Sequence, residues 1–161
     1  MAMNTSDAPH WLTDQEMDGW LALWSVMEWL PSRLEAQLRE DSGLSLNEYN
    51  ALSQISMAPE RTVRLSELAR VANMTLSHLS RVITRLERSG WVRRAPDPDD
   101  GRYTLARLTE AGLTKVTHAA PGHVDAVRRH VFAPLSPVQS AALGEAMGRI
   151  VEELDPPRLA R

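Results

Sequence analysis

The chain has 161 residues, enough for one domain or two small joined ones, and 43% of them are hydrophobic, enough for a core. It has no cysteine, which excludes a disulfide framework and thiol chemistry, and no uncharged apolar run of about 18 residues that predicts a membrane span. The net charge of −3 divides into −8 for residues 1–60, +5 for residues 61–107 and zero for residues 108–161. A positive middle segment between non-positive ends is typical of a polyanion-binding module carried on a separate scaffold.

The first predicted helix begins after Thr13. Met1–His10, which precedes it, lacks the basic and apolar regions of a signal peptide, so we expect a cytoplasmic protein. Thr13-x-x-Glu16 is a capping box, and apolar residues then repeat at helical spacing to about Glu40. Pro31 predicts a kink or a local break. A stripe of about 40 Å is too long for a compact domain of this size to bury, so we expect part of it to pack on another subunit.

Three shorter helices are predicted next. Ser45-x-x-Glu48 is a second capping box, and it opens a helix that ends near Met57. Leu65–Ala72 forms the third helix, and a short turn leads to Thr75, which caps the fourth. Two short helices joined by a turn of three or four residues are the helix-turn-helix pattern.

The fourth helix, within residues 75–90, is amphipathic with a basic outer face. Successive side chains of an α-helix are rotated by about 100° around its axis. On this spacing, one side of the helix carries an apolar stripe formed by Leu76, Leu79, Val82, Ile83 and Leu86. The opposite side combines hydroxyl groups with guanidinium groups, and we interpret the helix as a recognition helix that enters the major groove. A solvated surface helix is the alternative, but such helices mix charge signs, and Glu87 is the only acid here. The candidate major-groove residues are Thr75, Ser77, His78, Ser80, Arg81, Thr84, Arg85 and Arg88.

Sequence reasoning assigns different roles within that set. For Ser77, Arg81 and Thr84, direct base contact and phosphate contact or solvation stand as alternatives. Arg85 and Arg88 are interpreted as phosphate clamps, and His78 either contacts DNA or simply lies at the edge of the face.

A two-stranded β-wing is predicted after Gly90. Trp91–Ala95 and Tyr103–Leu108 have the composition of short strands, and the residues between them have the composition of a hairpin turn. Arg94 follows the helix exit and either steadies the wing or meets phosphate.

Two further helices complete the chain. Thr109 caps a fifth helix that runs to about Pro134, with an interruption at Pro121-Gly122. Ser136-Pro137-x-Gln139 opens a sixth helix, because proline is favoured at the first helical position and Gln139 completes a third capping box. The predicted fold class is mainly α with a small β-wing, a winged helix-turn-helix lobe on a helical dimerisation domain.

Neither catalysis nor metal binding is predicted. We find no nucleophile elbow, no phosphate-cradling glycine loop and no zinc-protease motif, so we expect no enzyme and no cofactor. His118, His123 and His130 are separated by a Pro-Gly pair and lack a carboxylate cluster, so no metal site is expected.

Trp20 and Trp24 lie on the apolar stripe of the first helix, with Glu28 beside them. These three residues are the candidate lining of an effector pocket, whereas core or dimer packing is the default reading of such a stripe.

Several motifs together resemble the MarR family of bacterial transcription regulators. Residues 43–52 resemble its second-helix signature, and Leu65-x-Glu67-Leu68-Ala69 resembles the start of its third helix. The exit of the recognition helix is similar over residues 86–94, and the segment from wing to helix is similar over residues 97–112. The resemblance covers roughly residues 15–154.

The resemblance implies a homodimer that binds double-stranded DNA at a pseudo-palindromic operator, as a repressor responsive to a small-molecule effector. It implies a dimerisation helix at residues 13–42, a DNA-binding domain at 43–108 and dimerisation helices at 109–155. Arg102 would enter the minor groove at the wing, and Asp100 would orient it. The alternative is a winged-helix protein-interaction module without sequence-specific DNA binding.

Overall fold

The computed structural model describes residues 10–159. The first nine residues, where no signal peptide is expected, lie outside the described part. The chain forms two compact units, of which the first ends at Arg33 and the second begins at Leu34. The helices are α1 (Asp14–Ser42), α2 (Leu46–Met57), α3 (Leu65–Val71), α4 (Leu76–Arg88), α5 (Glu110–Val127) and α6 (Pro137–Leu154). The strands are β1 (Thr62–Arg64), β2 (Val92–Pro96) and β3 (Thr104–Leu108).

The first unit contains the start of α1, where the predicted capping box is confirmed. The Glu16 carboxylate accepts the Thr13 backbone N–H at 2.8 Å, and the Thr13 hydroxyl accepts the Glu16 N–H at 3.3 Å. The predicted break at Pro31 is not observed, because α1 continues through this residue. A proline inside a helix removes one N–H donor, and at an exposed position water can satisfy the carbonyl left free.

The second unit contains a three-stranded antiparallel sheet in the order β1-β3-β2. Val63 of β1 pairs with Ala106 of β3, and Ala95 of β2 pairs with Leu105. Sequence patterning predicted β2 and β3 but missed β1. A strand of three residues is too short to show an alternating pattern, and its partner strand lies far along the chain.

The core of the second unit lies where α2, α3 and α4 pack on the sheet. Its largest fully buried side chains are Leu38, Leu44, Leu52, Ile55, Leu68, Leu79, Val82, Ile83, Leu86 and Val92. Burying each such side chain contributes about 1.5–3 kcal/mol. Leu159, beyond the end of α6, also packs against this core. Sequence patterning did not predict that contact.

The predicted interruption of α5 at Pro121-Gly122 is not observed either, since α5 continues to Val127 and is followed by a π-helical turn, Arg128–Phe132. Gly122 instead allows close packing on the end of α1. A Cβ at this position would lie 3.0 Å from both the Gln37 amide nitrogen and the Asp41 carboxylate. The capping box that begins α6 at Ser136 is confirmed.

Candidate nucleic-acid interface

Helix α4 has one buried face and one outer face. Leu79, Val82, Ile83 and Leu86 are fully buried, which confirms four of the five residues of the predicted stripe. Leu76 is the exception, since 52% of its surface is exposed. It is the first residue of the helix.

The turn before α4 is built by local hydrogen bonds. Asn73 adopts a φ of 51°, a left-handed conformation that asparagine tolerates better than most residues. The Thr75 hydroxyl then accepts the His78 N–H at 3.2 Å, which confirms the predicted cap. It also lies 3.3 Å from the Ser77 hydroxyl. The N-terminal end of α4 therefore presents its hydroxyl groups in a defined arrangement.

The outer face of α4 carries exposed and half-buried polar groups. Ser77, Arg81, Arg85 and Arg88 are exposed, whereas His78, Ser80 and Thr84 are half-buried. The Thr84 hydroxyl donates to the Ser80 carbonyl at 2.8 Å, so its hydrogen is used within the helix.

The Arg85 side chain forms an ion pair with Glu48, near the start of α2. The Arg85 Nε donates to one carboxylate oxygen at 2.7 Å, and the other oxygen accepts the Ser45 backbone N–H at 2.8 Å. Burial raises the pKa of Glu48, but the hydrogen bonds from Ser45 and Arg85 outweigh burial and lower that pKa below its ordinary value. Glu48 thus stays ionised and fixes the direction of the Arg85 side chain, whose other end remains exposed.

Arg94, which sequence reasoning placed on the wing, lies against α4. Its Nη2 donates to the Ser80 carbonyl at 2.7 Å and to the Thr84 hydroxyl at 3.0 Å. Its Nη1 donates to Glu87 Oε2 at 2.8 Å, and its backbone N–H donates to Glu87 Oε1 at 3.0 Å. The side chain is 24% exposed, so most of its hydrogen-bonding capacity is directed into the protein.

The wing consists of β2, β3 and the turn between them, and Arg102 projects from that turn with 85% of its side chain exposed. Two nitrogens of Arg102 contact the Asp100 carboxylate, Nε at 2.9 Å and Nη2 at 2.6 Å. This hydrogen bonding lowers the pKa of Asp100 and raises the pKa of Arg102, which stabilises both charged forms. The structure therefore brings together the two residues that the sequence predicted to pair.

A fourth ion pair, which sequence reasoning missed, lies at the base of the wing. The Arg64 Nε donates to Asp97 Oδ2 at 2.5 Å, and the Arg64 guanidinium carbon lies 4.7 Å from the centre of the Tyr103 ring. A backbone hydrogen bond from Asp99 and the contact with Arg64 lower the pKa of Asp97. Asp97-Pro98 was recognisable as a turn, but no local signal identified Arg64 as its partner.

The candidate effector residues are all exposed. Trp20 and Trp24 contact each other with ring centroids 5.5 Å apart, and Glu28 is exposed on the same helix. An open, mostly apolar cavity of about 520 Å³, which the sequence did not predict, lies between α2 and α5. Its lining includes Tyr49, Leu113 and Val116.

Residues 10–159 contain neither a metal-binding cluster nor a membrane-spanning helix. No three His, Cys, Asp or Glu side chains lie together there in a way that could hold a metal ion. No helix in this range is long and apolar enough to span a membrane.

Comparisons with known proteins agree with this geometry. Residues 44–104 match the model of the MarR family. Sco3205, a MarR family transcriptional regulator from Streptomyces coelicolor solved in complex with DNA, is 40% identical, with a TM-score of 0.83 over 96% of each chain. AbsC, a MarR family transcriptional regulator from the same organism, is 37% identical, with a TM-score of 0.81 over 91% of this chain and 99% of AbsC.

Curated relatives match over shorter stretches. The PecS regulator of Dickeya dadantii is 27% identical over 69% of this chain and 67% of its own length. The IacR repressor of Pseudomonas putida is 38% identical, and the match spans 31% of its length. The full-length likeness to Sco3205, the matched family model and the winged-helix fold agree: the chain belongs to the MarR family of transcriptional regulators.

Proposed function

We propose that the protein is a ligand-responsive repressor that binds a pseudo-palindromic DNA operator as a homodimer. The observation that carries this proposal is the outer face of α4, where exposed Arg81, Arg85 and Arg88 lie on a helix whose opposite face is buried. The solved DNA complex of Sco3205 supports DNA as the partner. The relatives are transcriptional regulators, and the proposal assigns no catalytic role and no cofactor.

The proposed DNA contacts fall into two groups. The outer face of α4 would enter the major groove, where its arginines bind phosphates or guanine and its hydroxyl groups contact bases or backbone. Arg102, supported by Asp100, would enter the adjacent minor groove, where a guanidinium senses groove width and negative potential. The site of action would be the cytoplasm, where bacterial DNA lies.

The proposed dimer would cover apolar side chains that the single chain leaves exposed. In the first unit these are Met17, Leu21, Val26 and Met27 on α1. In the second unit they include Phe132, Val138, Ile150, Val151 and Leu154. Exposed apolar surface of this extent marks an interaction site. We accordingly assign residues 13–42 and 109–155 to dimerisation and residues 43–108 to DNA binding.

The proposed effector site includes Trp20, Trp24 and Glu28, where two aromatic rings and a carboxylate offer stacking and one polar anchor. The cavity between α2 and α5 is a second candidate, because it is mostly apolar and open to solvent. A ligand at either place changes DNA affinity only if it binds the two states of the protein unequally.

Genomic footprinting with the purified protein, followed by salt titration on the recovered site, tests the proposal. We expect protection of a symmetric site and a slope of log K against log[salt] several units negative, about −0.9 for each neutralised phosphate. Arg81→Ala should weaken binding, whereas Arg158→Ala, which removes one exposed charge outside the residues assigned to dimerisation and DNA binding, should not. Absence of any protected site would favour the winged-helix protein-interaction module instead.

A further inference from the structure

We infer that Arg94 is a positioning residue, which fixes the wing to the recognition helix and confines base reading to the N-terminal half of that helix. This inference rests on the proposed function, since it assigns roles within the same DNA-binding face. The residues left to read bases are then Ser77, His78 and Arg81.

The guanidinium donors of Arg94 are directed at groups of the protein itself. Its Nη2 donates hydrogen bonds to the Ser80 carbonyl and the Thr84 hydroxyl, and its Nη1 donates to the Glu87 carboxylate. A phosphate approaching Arg94 would have to compete with these partners and would meet the negative charge of Glu87. Arg94 is therefore poorly placed to neutralise a phosphate, unlike Arg85, whose outer edge is exposed.

The hydroxyl groups of Ser80 and Thr84 both contact Arg94. Thr84 donates its hydrogen to the Ser80 carbonyl and accepts from Arg94 at 3.0 Å, while the Ser80 hydroxyl accepts from Arg94 at 3.2 Å. Both side chains are half-buried. The hydrogen of the Thr84 hydroxyl and an acceptor position of the Ser80 hydroxyl are thus used inside the protein, whereas Ser77 and Arg81, nearer the start of α4, are exposed. Residues near the N-terminus of a recognition helix are the ones that contact base edges in helix-turn-helix proteins.

The Arg94 backbone N–H and side chain both bind Glu87, so β2 is attached to α4 through main chain and side chain at one residue. Strand β2 pairs with β3 from Val92 to Pro96, and the turn between the strands carries Arg102. The angle between the wing and the recognition helix therefore depends on Arg94. The same angle sets how deeply Arg102 enters the minor groove.

The test compares the parent with Arg94→Ala, Arg94→Lys and Arg85→Ala on the duplex that the parent selects from a random-sequence pool. For Arg94→Ala we expect an affinity loss of about tenfold, since the wing that carries Arg102 is no longer held against the recognition helix. Its preference for A·T-rich flanks should weaken, and any change in its salt slope should match the loss of the Arg102 contact and should not be restored by Arg94→Lys. Arg94→Lys should behave like Arg94→Ala, because an ammonium cannot reproduce the planar fork. Arg85→Ala should instead make the slope less negative by about 0.9 for each subunit.

Two results would overturn the inference. One is a salt slope that becomes less negative for Arg94→Ala, as it does for Arg85→Ala, and that is restored by Arg94→Lys. That result would make Arg94 a phosphate contact. The other is a changed base preference for Thr84→Val, which keeps the shape of the side chain and removes its hydroxyl.

Hydrogen exchange gives a readout that needs no DNA. Arg94→Ala should speed exchange in β2 and β3 while the core helices keep their protection; unchanged exchange in the wing would also overturn the inference. If the parent selects no duplex at all, the proposed function fails, and exchange still decides whether Arg94 positions the wing.

Discussion

The backbone carbonyl oxygen of Trp91 occupies the space that a side chain at residue 112 would need, so this position requires Gly112. A Cβ built on Gly112 would stand 2.0 Å from that oxygen. The same carbonyl accepts the Thr109 N–H at 3.0 Å, and the Thr109 hydroxyl donates to the Gly90 carbonyl at 2.7 Å. The start of α5 is thereby attached directly to the exit of the recognition helix.

Gly112→Ala should therefore destabilise the protein, because the backbone of Trp91 must move to admit the methyl group. Overpacking of this kind costs about 1–3 kcal/mol. Denaturant unfolding measures the cost, with Gly101→Ala as control, since a Cβ there meets nothing within 4 Å. Equal stabilities of the two variants would contradict the close approach.

Glu48→Gln should lower stability at pH 7 by about 1 kcal/mol or more, because the charged hydrogen bond to Arg85 is weakened. The pKa of Glu48 is lower in the folded chain than its ordinary value of 4.5. Its stabilisation is thus present above pH 4.5 and is lost as the pH falls through the lower folded value. The free energy of unfolding of Glu48→Gln should accordingly fall less steeply than that of the parent below pH 4.5.

Urea unfolding at several pH values checks this expectation. Glu145→Gln is the charge control, since it removes a carboxylate from an exposed face of α6. Parallel pH curves for Glu48→Gln and the parent would show that Glu48 does not stabilise the fold through its charge.

Arg102→Ala should weaken DNA binding and relax the preference for A·T-rich flanks, because a guanidinium in a narrow minor groove reads shape. Asp100→Ala should have the same effect more weakly, since it removes the support and leaves the guanidinium in place. A randomised operator selection with both variants measures the preferences. If flank preference persists in both, specificity does not come from the wing.

Arg81→Ala should cost about 1–3 kcal/mol of binding free energy and relax one symmetric pair of operator positions, if Arg81 makes a bidentate contact with guanine. The same selection measures this effect, and Arg158→Ala, at an exposed position outside the proposed interfaces, serves as the charge-matched control. A uniform loss across all sequences would make Arg81 a phosphate contact instead.

Trp20→Ala and Trp24→Ala should change the response to effector more than the affinity for operator, because the proposed pocket lies outside the DNA-binding face. Operator binding with and without candidate aromatic ligands measures both quantities, and sedimentation checks the oligomeric state. Dissociation of the dimer in both variants would assign the two rings to packing.

The features that the sequence determined by itself are those with local causes. The capping boxes at Thr13, Ser45 and Ser136 join residues three apart, so their hydrogen bonds can be read from spacing alone. The buried face of α4 follows from helical periodicity, apart from Leu76 at its first turn. The resemblance to MarR regulators rested on several such local motifs at consistent spacing.

The tertiary structure decided the features whose partners lie far apart in the chain. Strand β1 exists because β3, more than 40 residues later, supplies its hydrogen bonds. The Arg64–Asp97 pair and the packing of Leu159 on the core depend on the same folding back of the chain. Arg94 was recognised as a cation near the wing, but only the packing of β2 against α4 directs it toward Glu87. A charged side chain can be assigned to DNA or to the protein only when its neighbours are known, because hydrogen bonding inside the fold uses the same donors.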